Sequence, residues 1–326
     1  MQNVDAIVVG GGPCGLAAAI SLQDIGLTPV IIEKGNVVEA IYKYPTHQTF
    51  FSTSEKLAIG NVPFIIEQRK PKRNQALVYY REVVKLKNLC VNRFENVNRI
   101  EKLHGSFIVH TTKDKYETNY VVIATGYYDH PNELNVPGYD LEKVSHYFKE
   151  GHPYFEMDVV VIGGKNSAID AALELHKAGA RVTVVYRGPE YSPSIKPWIL
   201  PEFDGLVRTG EIQMLFEAHV EEIQEKSIRI HQNDKVFSQK NDFVFAMIGY
   251  HPDHQFLRKM GVHIDPETGR PQIEEQTMES NVEGIFIAGV LAAGNNANEI
   301  FIENGRFHGE QIAKEIAKRE NLKNQP

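Results

Sequence analysis

The chain has 326 residues, of which 42% are hydrophobic and 24% are charged, and its net charge at pH 7 is −7. This length and composition are typical of a folded protein of about two domains, and they exclude disordered, collagen-like and coiled-coil chains. The negative charge, without long runs of one sign, argues against nucleic acid or an anionic membrane surface as the main partner.

The N-terminal segment does not resemble a targeting sequence. Residues 1–5 contain no basic side chain, and the apolar run over residues 6–12 ends in glycines instead of a cleavage site. No apolar stretch reaches the roughly 20 residues that a membrane helix needs. The only cysteines, Cys14 and Cys90, are too few for a disulfide framework. We therefore expect a cytoplasmic protein without a membrane span.

The first predicted unit is a strand, a glycine-rich turn, a helix and a second strand. Gly10, Gly12 and Gly15 form the pattern G-x-G-x-x-G, and Glu33 follows 18 residues later at the end of the second strand. In this context the glycines allow a tight turn, close approach of a pyrophosphate and close helix packing, while Glu33 accepts hydrogen bonds from a ribose diol. The helix N-terminus then faces the phosphates. A plain tight turn is the alternative.

Three more residues of this unit are candidates for cofactor binding, namely Pro13, Cys14 and Lys34. Cys14 lies at a helix N-terminus, where the helix dipole favours the thiolate, but a bound pyrophosphate would oppose that effect. On the residues alone, Cys14 is either a redox thiol or a small residue that the loop tolerates. Cys90 is predicted to be a buried strand residue without chemistry.

A second copy of this unit lies 153 residues further along the chain, and no gap is needed to align the two. Gly163, Lys165 and Ala168 stand at the positions of the three motif glycines of the first loop, and Asn166 and Ser167 lie between the last two. These five residues are the predicted binding loop of a second dinucleotide. Because Lys165 replaces the second glycine, this cofactor is expected to lie less deeply.

The ribose end of the second copy differs from that of the first. Tyr186 stands at the position of Glu33, and Arg187 follows it. A carboxylate would repel a 2′-phosphate, whereas a guanidinium binds it with two hydrogen bonds. Arg187 therefore indicates a preference for NADPH over NADH. The alternative is that Arg187 is only a solvated residue at the end of a strand.

Two dinucleotide sites with unlike ribose ends predict two Rossmann-like α/β domains, the second inserted into the first. The first unit, with Glu33, resembles an FAD site, so we expect an FAD domain over residues 1–130 and 250–326 and an NADPH domain over 131–249. Proline and glycine punctuate both boundaries. Residues 284–289 are predicted to form a last strand, and residues 298–318 a helix whose N-terminal amides point at the flavin.

The whole pattern resembles the thioredoxin-reductase-like class of FAD/NADPH oxidoreductases. The resemblance includes the strand over residues 121–126, which ends in Ala-Thr-Gly with Thr125 and Gly126, and the similar strand over residues 244–249. Residues 10–15, 50–55 and 295–305 further resemble the bacillithiol disulfide reductase (YpdA) group. The resemblance implies hydride transfer from NADPH to FAD, then reduction of a low-molecular-weight disulfide. It also implies attack on that disulfide by Cys14, and a homo-oligomer.

Two departures from this class affect the expected site. The chain lacks the C-x-x-C pair of thioredoxin reductases, and Val290 replaces the usual aspartate after Gly289. FAD must then be held partly by other groups. The candidates, each of which could instead be an ordinary loop or capping residue, are Lys43, His47, Asn298, Glu299 and Ile300.

Two other functions remain open on the sequence. A ferredoxin or flavodoxin NADP⁺ reductase of the same class also lacks C-x-x-C, and a non-catalytic flavoprotein could sense redox state through partner binding. Residues 50–54 resemble a loop of flavin monooxygenases. No H-E-x-x-H or G-x-S-x-G sequence occurs, so neither a zinc site nor a nucleophile elbow is expected.

Overall fold

A computed structural model describes residues 1–296 and 298–323 of the chain as a mixture of helices and strands. The strands are β1 Gln2–Asn3, β2 Ala6–Val9, β3 Pro29–Glu33, β4 Cys90–Arg93, β5 Val97–Lys102, β6 Phe107–Thr111, β7 Lys115–Thr118, β8 Tyr120–Ile123, β9 Val144–Ser145, β10 Asp158–Ile162, β11 Arg181–Val185, β12 Ile212–Leu215, β13 Ala218–Ile223, β14 Ser227–Gln232, β15 Lys235–Lys240, β16 Phe243–Ala246, β17 Ile273–Glu274, β18 Glu279–Ser280 and β19 Ile285–Ile287. The α-helices are α1 Pro13–Asp24, α2 Glu39–Lys43, α3 Ser54–Leu57, α4 Arg73–Leu86, α5 Asn166–Lys177, α6 Leu200–Thr209, α7 His254–Lys259, α8 Ile302–Gly305 and α9 His308–Lys323. Short 3₁₀ turns cover His152–Tyr154 and Gly289–Ala293.

The chain divides into two compact units. The first contains Met1–Tyr42, Gln48–His130 and Tyr250–Pro326, and the second contains Lys43–His47 and Pro131–Gly249. This division differs from the predicted domain boundaries in one short segment, residues 43–47, which groups with the second unit.

The first unit is built on a seven-stranded sheet in the order β17-β18-β19-β8-β2-β3-β4. The five strands from β19 to β4 pair in parallel, and β17 and β18 extend this sheet in antiparallel fashion. Strand β2 is apolar at every position and fully buried, as expected for a parallel strand covered on both faces. A separate four-stranded sheet has the order β1-β7-β6-β5.

The second unit has a five-stranded parallel sheet in the order β12-β11-β10-β16-β9. Its core lies between this sheet and helices α5 and α6, and includes Val161, Ile169 and Phe203. Strands β13, β14 and β15 form a three-stranded antiparallel sheet. The predicted fold class, two Rossmann-like α/β domains, is confirmed.

The internal repeat is preserved in three dimensions. Helix α1 and helix α5 are both 12 residues long, and their first residues, Pro13 and Asn166, are separated by the offset found in the sequence. Each helix connects two adjacent parallel strands, β2 with β3 and β10 with β11. In both copies the strand order reverses at the first strand of the repeat, β2 or β10. Ligands of doubly wound sheets bind at such a reversal.

Two predictions of local structure are wrong. The helix expected over residues 298–318 is replaced by a turn, by α8 and by α9. The Asn304 side chain accepts a hydrogen bond from the Phe301 N–H at 2.7 Å and donates one to the Glu299 carbonyl at 2.9 Å, and Phe301 is the N-cap of α8. A side-chain bond from the third helical residue to the N-cap backbone fixes the start of a helix, here at residue 302 instead of 298. Cys90 lies in a strand as expected but is exposed, since β4 is the edge strand of its sheet.

Candidate functional site

The first glycine loop is shaped by two close approaches of the backbone. Gly10 has a φ of +108°, and a Cβ on it would lie 2.5 Å from the Ala124 carbonyl oxygen at the end of β8. A Cβ on Gly15 would overlap the Gly10 carbonyl oxygen. Both glycines are therefore required by the packing of the strand, turn and helix, as the sequence predicts.

Gly12 differs from its two neighbours in the motif, because a Cβ placed on it would meet no atom within 4 Å. The residue is the N-cap of α1 with a φ of −74°, which any residue adopts, and no side chain caps the helix. Pro13 occupies the first helical position. Open space in front of uncapped helix amides is the environment that a pyrophosphate needs, so this loop fits the phosphates of FAD.

The Glu33 carboxylate holds the loop from the end of β3. Its Oε2 accepts a hydrogen bond from the Gly11 N–H at 2.6 Å, and its Oε1 accepts one from the Gly35 N–H at 2.7 Å. Burial raises the pKa of Glu33, while these two hydrogen bonds oppose the rise. A carboxylate has about four acceptor positions, so two remain for a ribose diol. Glu33 therefore fits the ribose of FAD and orders the glycine loop.

The segment that follows β8 lies close to Lys34, the residue after Glu33. Thr125 and Gly126 follow this strand, and Gly126 has a φ of +69°. Lys34 forms an ion pair with Asp129 at 3.0 Å, just beyond that turn. The structure thus brings Lys34 together with the segment that contains Thr125 and Gly126.

Val38 is a residue of this site that sequence reasoning missed. It is fully buried, its N–H donates to the Gly11 carbonyl at 2.9 Å, and its φ of +51° is strained for a β-branched side chain. Nothing in the sequence marks it, because the strain arises from the contact with the glycine loop.

The Cys14 thiol lies against backbone on two sides, although the residue as a whole is half-buried. Cβ atoms placed on Gly289 and on Gly305 would each lie 3.1 Å from Cys14 Sγ, so the sulfur faces these two glycines. Burial raises the pKa of Cys14 to about 12. With the pKa raised in this way, the thiol is protonated at neutral pH in this arrangement.

The second glycine loop reproduces the close approach of the first. Gly163 has a φ of +138°, and a Cβ on it would lie 2.5 Å from the Met247 carbonyl oxygen after β16. The Tyr186 ring packs against Gly164, and a Cβ on that glycine would overlap the ring. This ring occupies the place that the Glu33 carboxylate takes beside Gly11 in the first unit. Arg187 follows it and is exposed.

The remaining residues of the second loop have distinct environments. Lys165 is the N-cap of α5 and contributes no side-chain cap, and Ser167 is exposed beside it. Asn166 donates to the Ser194 carbonyl at 2.9 Å and accepts from the Lys196 N–H at 2.9 Å, so its amide anchors the segment after β11. Ala168 is fully buried.

The other cofactor candidates lie in two separate places. Lys43 ends helix α2, and His47 faces the Glu174 carboxylate at 3.8 Å and the Phe148 ring. Both belong to the second unit. Asn298, Glu299 and Ile300 precede α8, and Glu299 forms an ion pair with Arg270. Gly289, by contrast, lies directly against Cys14.

Residues 1–296 and 298–323 contain neither a cluster of metal-binding side chains nor a helix that could span a membrane. No group of three or more His, Cys, Asp or Glu side chains in this part of the chain could hold a metal ion. No helix within the same residues has the length and apolar character needed to cross a membrane.

Comparison with known proteins identifies the family. Residues 7–289 match the model of the family described as pyridine nucleotide-disulphide oxidoreductase. The bacilliredoxin reductase Bdr of Bacillus subtilis is 69% identical over 323 residues, which are 98% of this chain and all of that protein. The chain belongs to the bacillithiol disulfide reductase group of this family. As a member of it, the chain is an FAD-containing, NADPH-dependent oxidoreductase.

Solved structures of the group have the same fold. The bacillithiol disulfide reductases Bdr (YpdA) of Bacillus cereus and Staphylococcus aureus are 66% and 59% identical. Each superimposes with a TM-score of 0.96 over 98% of this chain and all of the solved chain. The thioredoxin reductase of T. acidophilum shares the fold at 20% identity, with a TM-score of 0.79 over 98% of this chain and all of that one. The family predicted from the sequence is confirmed.

Proposed function

We propose that this protein reduces bacillithiol disulfide, with NADPH as the electron donor and FAD as the carrier. The observation that carries the proposal is the similarity, over almost the whole chain, to the bacillithiol disulfide reductases Bdr (YpdA) of two bacteria and to the bacilliredoxin reductase Bdr of a third. The first unit is proposed to bind FAD and the second NADPH, because the first has Glu33 at the ribose position and the second has Tyr186 and Arg187 there.

The chain's own residues have separate tasks in this reaction. A bound FAD would supply the electron-carrying chemistry, by which a hydride from NADPH and one proton from solvent would convert the disulfide into two thiols. Gly12 and the N-terminus of α1 receive the pyrophosphate, and Glu33 accepts hydrogen bonds from the ribose. In the second unit the amides of residues 165–168 face the phosphates of NADPH, and Arg187 contacts the 2′-phosphate.

Cys14 is the proposed catalytic thiol, and the structure sets a condition on this role. A neutral thiol does not attack a disulfide, and with a pKa of about 12 the thiolate is on the order of 10⁻⁵ of the thiol at pH 7. Attack therefore requires that the sulfur be released from Gly289 and Gly305. The similarity to the group favours the catalytic role, whereas the enclosure of the sulfur favours packing, and the variants described in the Discussion separate the two.

A second candidate function is supported by a specific relative. The ferredoxin–NADP reductase of Ignicoccus hospitalis is 27% identical over 87% of this chain and 89% of that protein. A reductase of that kind needs no cysteine, so the enclosed Cys14 thiol is compatible with it. We also propose a cytoplasmic location, since the group to which the chain belongs acts on a low-molecular-weight thiol of the cell, and a homo-oligomer, which the resemblance to that group implies.

Pre-steady-state reoxidation of the flavin distinguishes these acceptors. We expect the NADPH-reduced protein to be reoxidised faster by bacillithiol disulfide than by cystine, ferredoxin or flavodoxin when each is mixed in a stopped-flow instrument. Flavin absorbance is the signal. Fastest reoxidation by ferredoxin or flavodoxin would replace the proposed function with the second candidate.

The Arg187→Ala substitution is expected to weaken the binding of NADPH without affecting the binding of NADH. Loss of a charge-assisted contact with two hydrogen bonds costs about 1.5–3 kcal/mol, which is about a tenfold or greater rise in the KM for NADPH. The matched control is Arg81→Ala, which removes another exposed arginine, from helix α4. Steady-state kinetics with both nucleotides test the assignment, and equal effects on the two would remove Arg187 as the reader of the 2′-phosphate.

A further inference from the structure

His308 begins helix α9 and contacts the turn that encloses the Cys14 thiol. The Gly289 N–H donates a hydrogen bond to His308 Nδ1 at 3.1 Å. Nδ1 must therefore be unprotonated, and the neutral ring has its proton on Nε2. Burial lowers the pKa of His308, which favours the same neutral form.

Gly289 lies between this imidazole and Cys14. Its φ is +75°, and a Cβ placed on it would lie 3.0 Å from Cys14 Cβ and 3.1 Å from Cys14 Sγ. The turn thus forms one wall around the sulfur in a conformation that a glycine adopts easily and leaves just as easily. The bond from Gly289 to His308 restrains this wall.

The imidazole is itself held in place by the packing of two helices. The next residue, Gly309, lies so close to α1 that a Cβ on it would be 2.6 Å from Ala18 Cα and 3.1 Å from the Ala17 carbonyl oxygen. Helices α1 and α9 are therefore in close contact directly beside His308. Since Cys14 is in the first turn of α1, the acceptor and the thiol are positioned by the same helix pair.

We propose that His308 is a positioning residue that holds the Gly289 turn closed over Cys14 and so controls access to this thiol. It acts through the Gly289 N–H and Nδ1. The consequence for turnover rests on the proposed function, whereas the effect on the thiol does not.

Chemical labelling of Cys14 in the FAD-loaded protein tests the proposal. The Cys90→Ser background leaves Cys14 as the only thiol, and mass spectrometry follows its reaction with iodoacetamide. We expect His308→Leu, which removes the acceptor, to label at least tenfold faster than the background. His308→Asn should label at the background rate, because its Oδ1 occupies the position of Nδ1.

Two further variants test whether faster labelling results from loss of the Gly289–His308 hydrogen bond and not from general loosening of the fold. In His308→Gln the amide reaches the position of Nε2 instead, so we expect fast labelling, and this polar variant replaces the leucine variant if the latter does not fold. His254→Leu, at a second half-buried histidine in helix α7, controls for general loosening and should leave the rate unchanged.

The possible outcomes distinguish this proposal from the proposed function. Equal labelling of the background, His308→Leu and His308→Gln would overturn the role of His308, as would slow labelling of the glutamine variant with fast labelling of the asparagine variant. Turnover of bacillithiol disulfide is measured separately on the same proteins. If labelling follows the expected order but turnover is the same in all variants, His308 keeps its role while catalysis by Cys14 fails.

Discussion

Cys14→Ala is expected to abolish turnover of bacillithiol disulfide while flavin reduction by NADPH continues. Hydride transfer from nicotinamide to flavin involves no thiol, whereas loss of a nucleophile lowers turnover by about 10³-fold or more. Alanine keeps a small side chain beside Gly289 and Gly305, so FAD content should be retained. The measurements are flavin bleaching by NADPH and steady-state NADPH consumption with the disulfide, both on the same preparation.

The raised pKa of Cys14 adds a pH dependence to this prediction. A thiol with a pKa of about 12 is protonated at pH 7, and its thiolate fraction grows about tenfold for each pH unit between pH 7 and 10. The disulfide step in the wild-type protein should accelerate with pH in that range. Cys90→Ala, at the exposed cysteine, is the control and should change neither rate. If Cys14→Ala retained full turnover, Cys14 would be a packing residue.

Gly12→Ala is expected to weaken FAD binding while the fold stays intact. The added methyl enters open space at an ordinary φ, so urea unfolding of the apoprotein should change by no more than about 0.5 kcal/mol. The same methyl occupies the place proposed for the pyrophosphate, and such overpacking costs about 1–3 kcal/mol, or about 5- to 150-fold in FAD affinity. Titration of apoprotein with FAD, followed by flavin fluorescence, measures the loss.

Gly15→Ala is the matched control from the same motif, with the opposite pattern. Its methyl would overlap the Gly10 carbonyl oxygen, so the apoprotein itself should lose about 1–3 kcal/mol of stability. An unchanged FAD affinity in Gly12→Ala would show that the pyrophosphate does not lie in front of Gly12. A destabilised Gly12→Ala apoprotein would show that the two glycines serve the same structural purpose.

The sequence is sufficient to predict those elements of the fold that are determined by a few neighbouring residues. The two βαβ units, the roles of Gly10 and Gly15 and the offset between the copies follow from apolar runs and glycine spacing, which act over a few residues. Glu33 was predicted as a ribose ligand, but its hydrogen bonds to the backbone of Gly11 and Gly35 were not, since they depend on how the loop closes.

Contacts between segments that are far apart in the sequence could not be predicted from such local patterns. The environment of Cys14 depends on Gly289 and Gly305, which are 275 and 291 residues further along the chain, so the sequence could not decide the direction of its pKa shift. The role of His308 could not be predicted, because a single histidine forms no spacing pattern with other residues that would mark it. The expected helix start at residue 298 is wrong, because the hydrogen bonds of the Asn304 side chain to the backbone of Phe301 and Glu299 make Phe301 the N-cap of α8.

The order of strands along the chain has a consequence for synthesis on the ribosome. The last strand of the parallel sheet in the second unit, β16, ends at residue 246. The seven-stranded sheet of the first unit is complete only after β17, β18 and β19 have been synthesised, and β19 ends at residue 287. Domains generally fold as units as they emerge. The inserted unit can therefore complete its sheet while β8, already made, still has an unpaired edge. The nascent first unit thus exposes an apolar strand edge until its C-terminal strands appear, and this stage is the one most in need of chaperone protection.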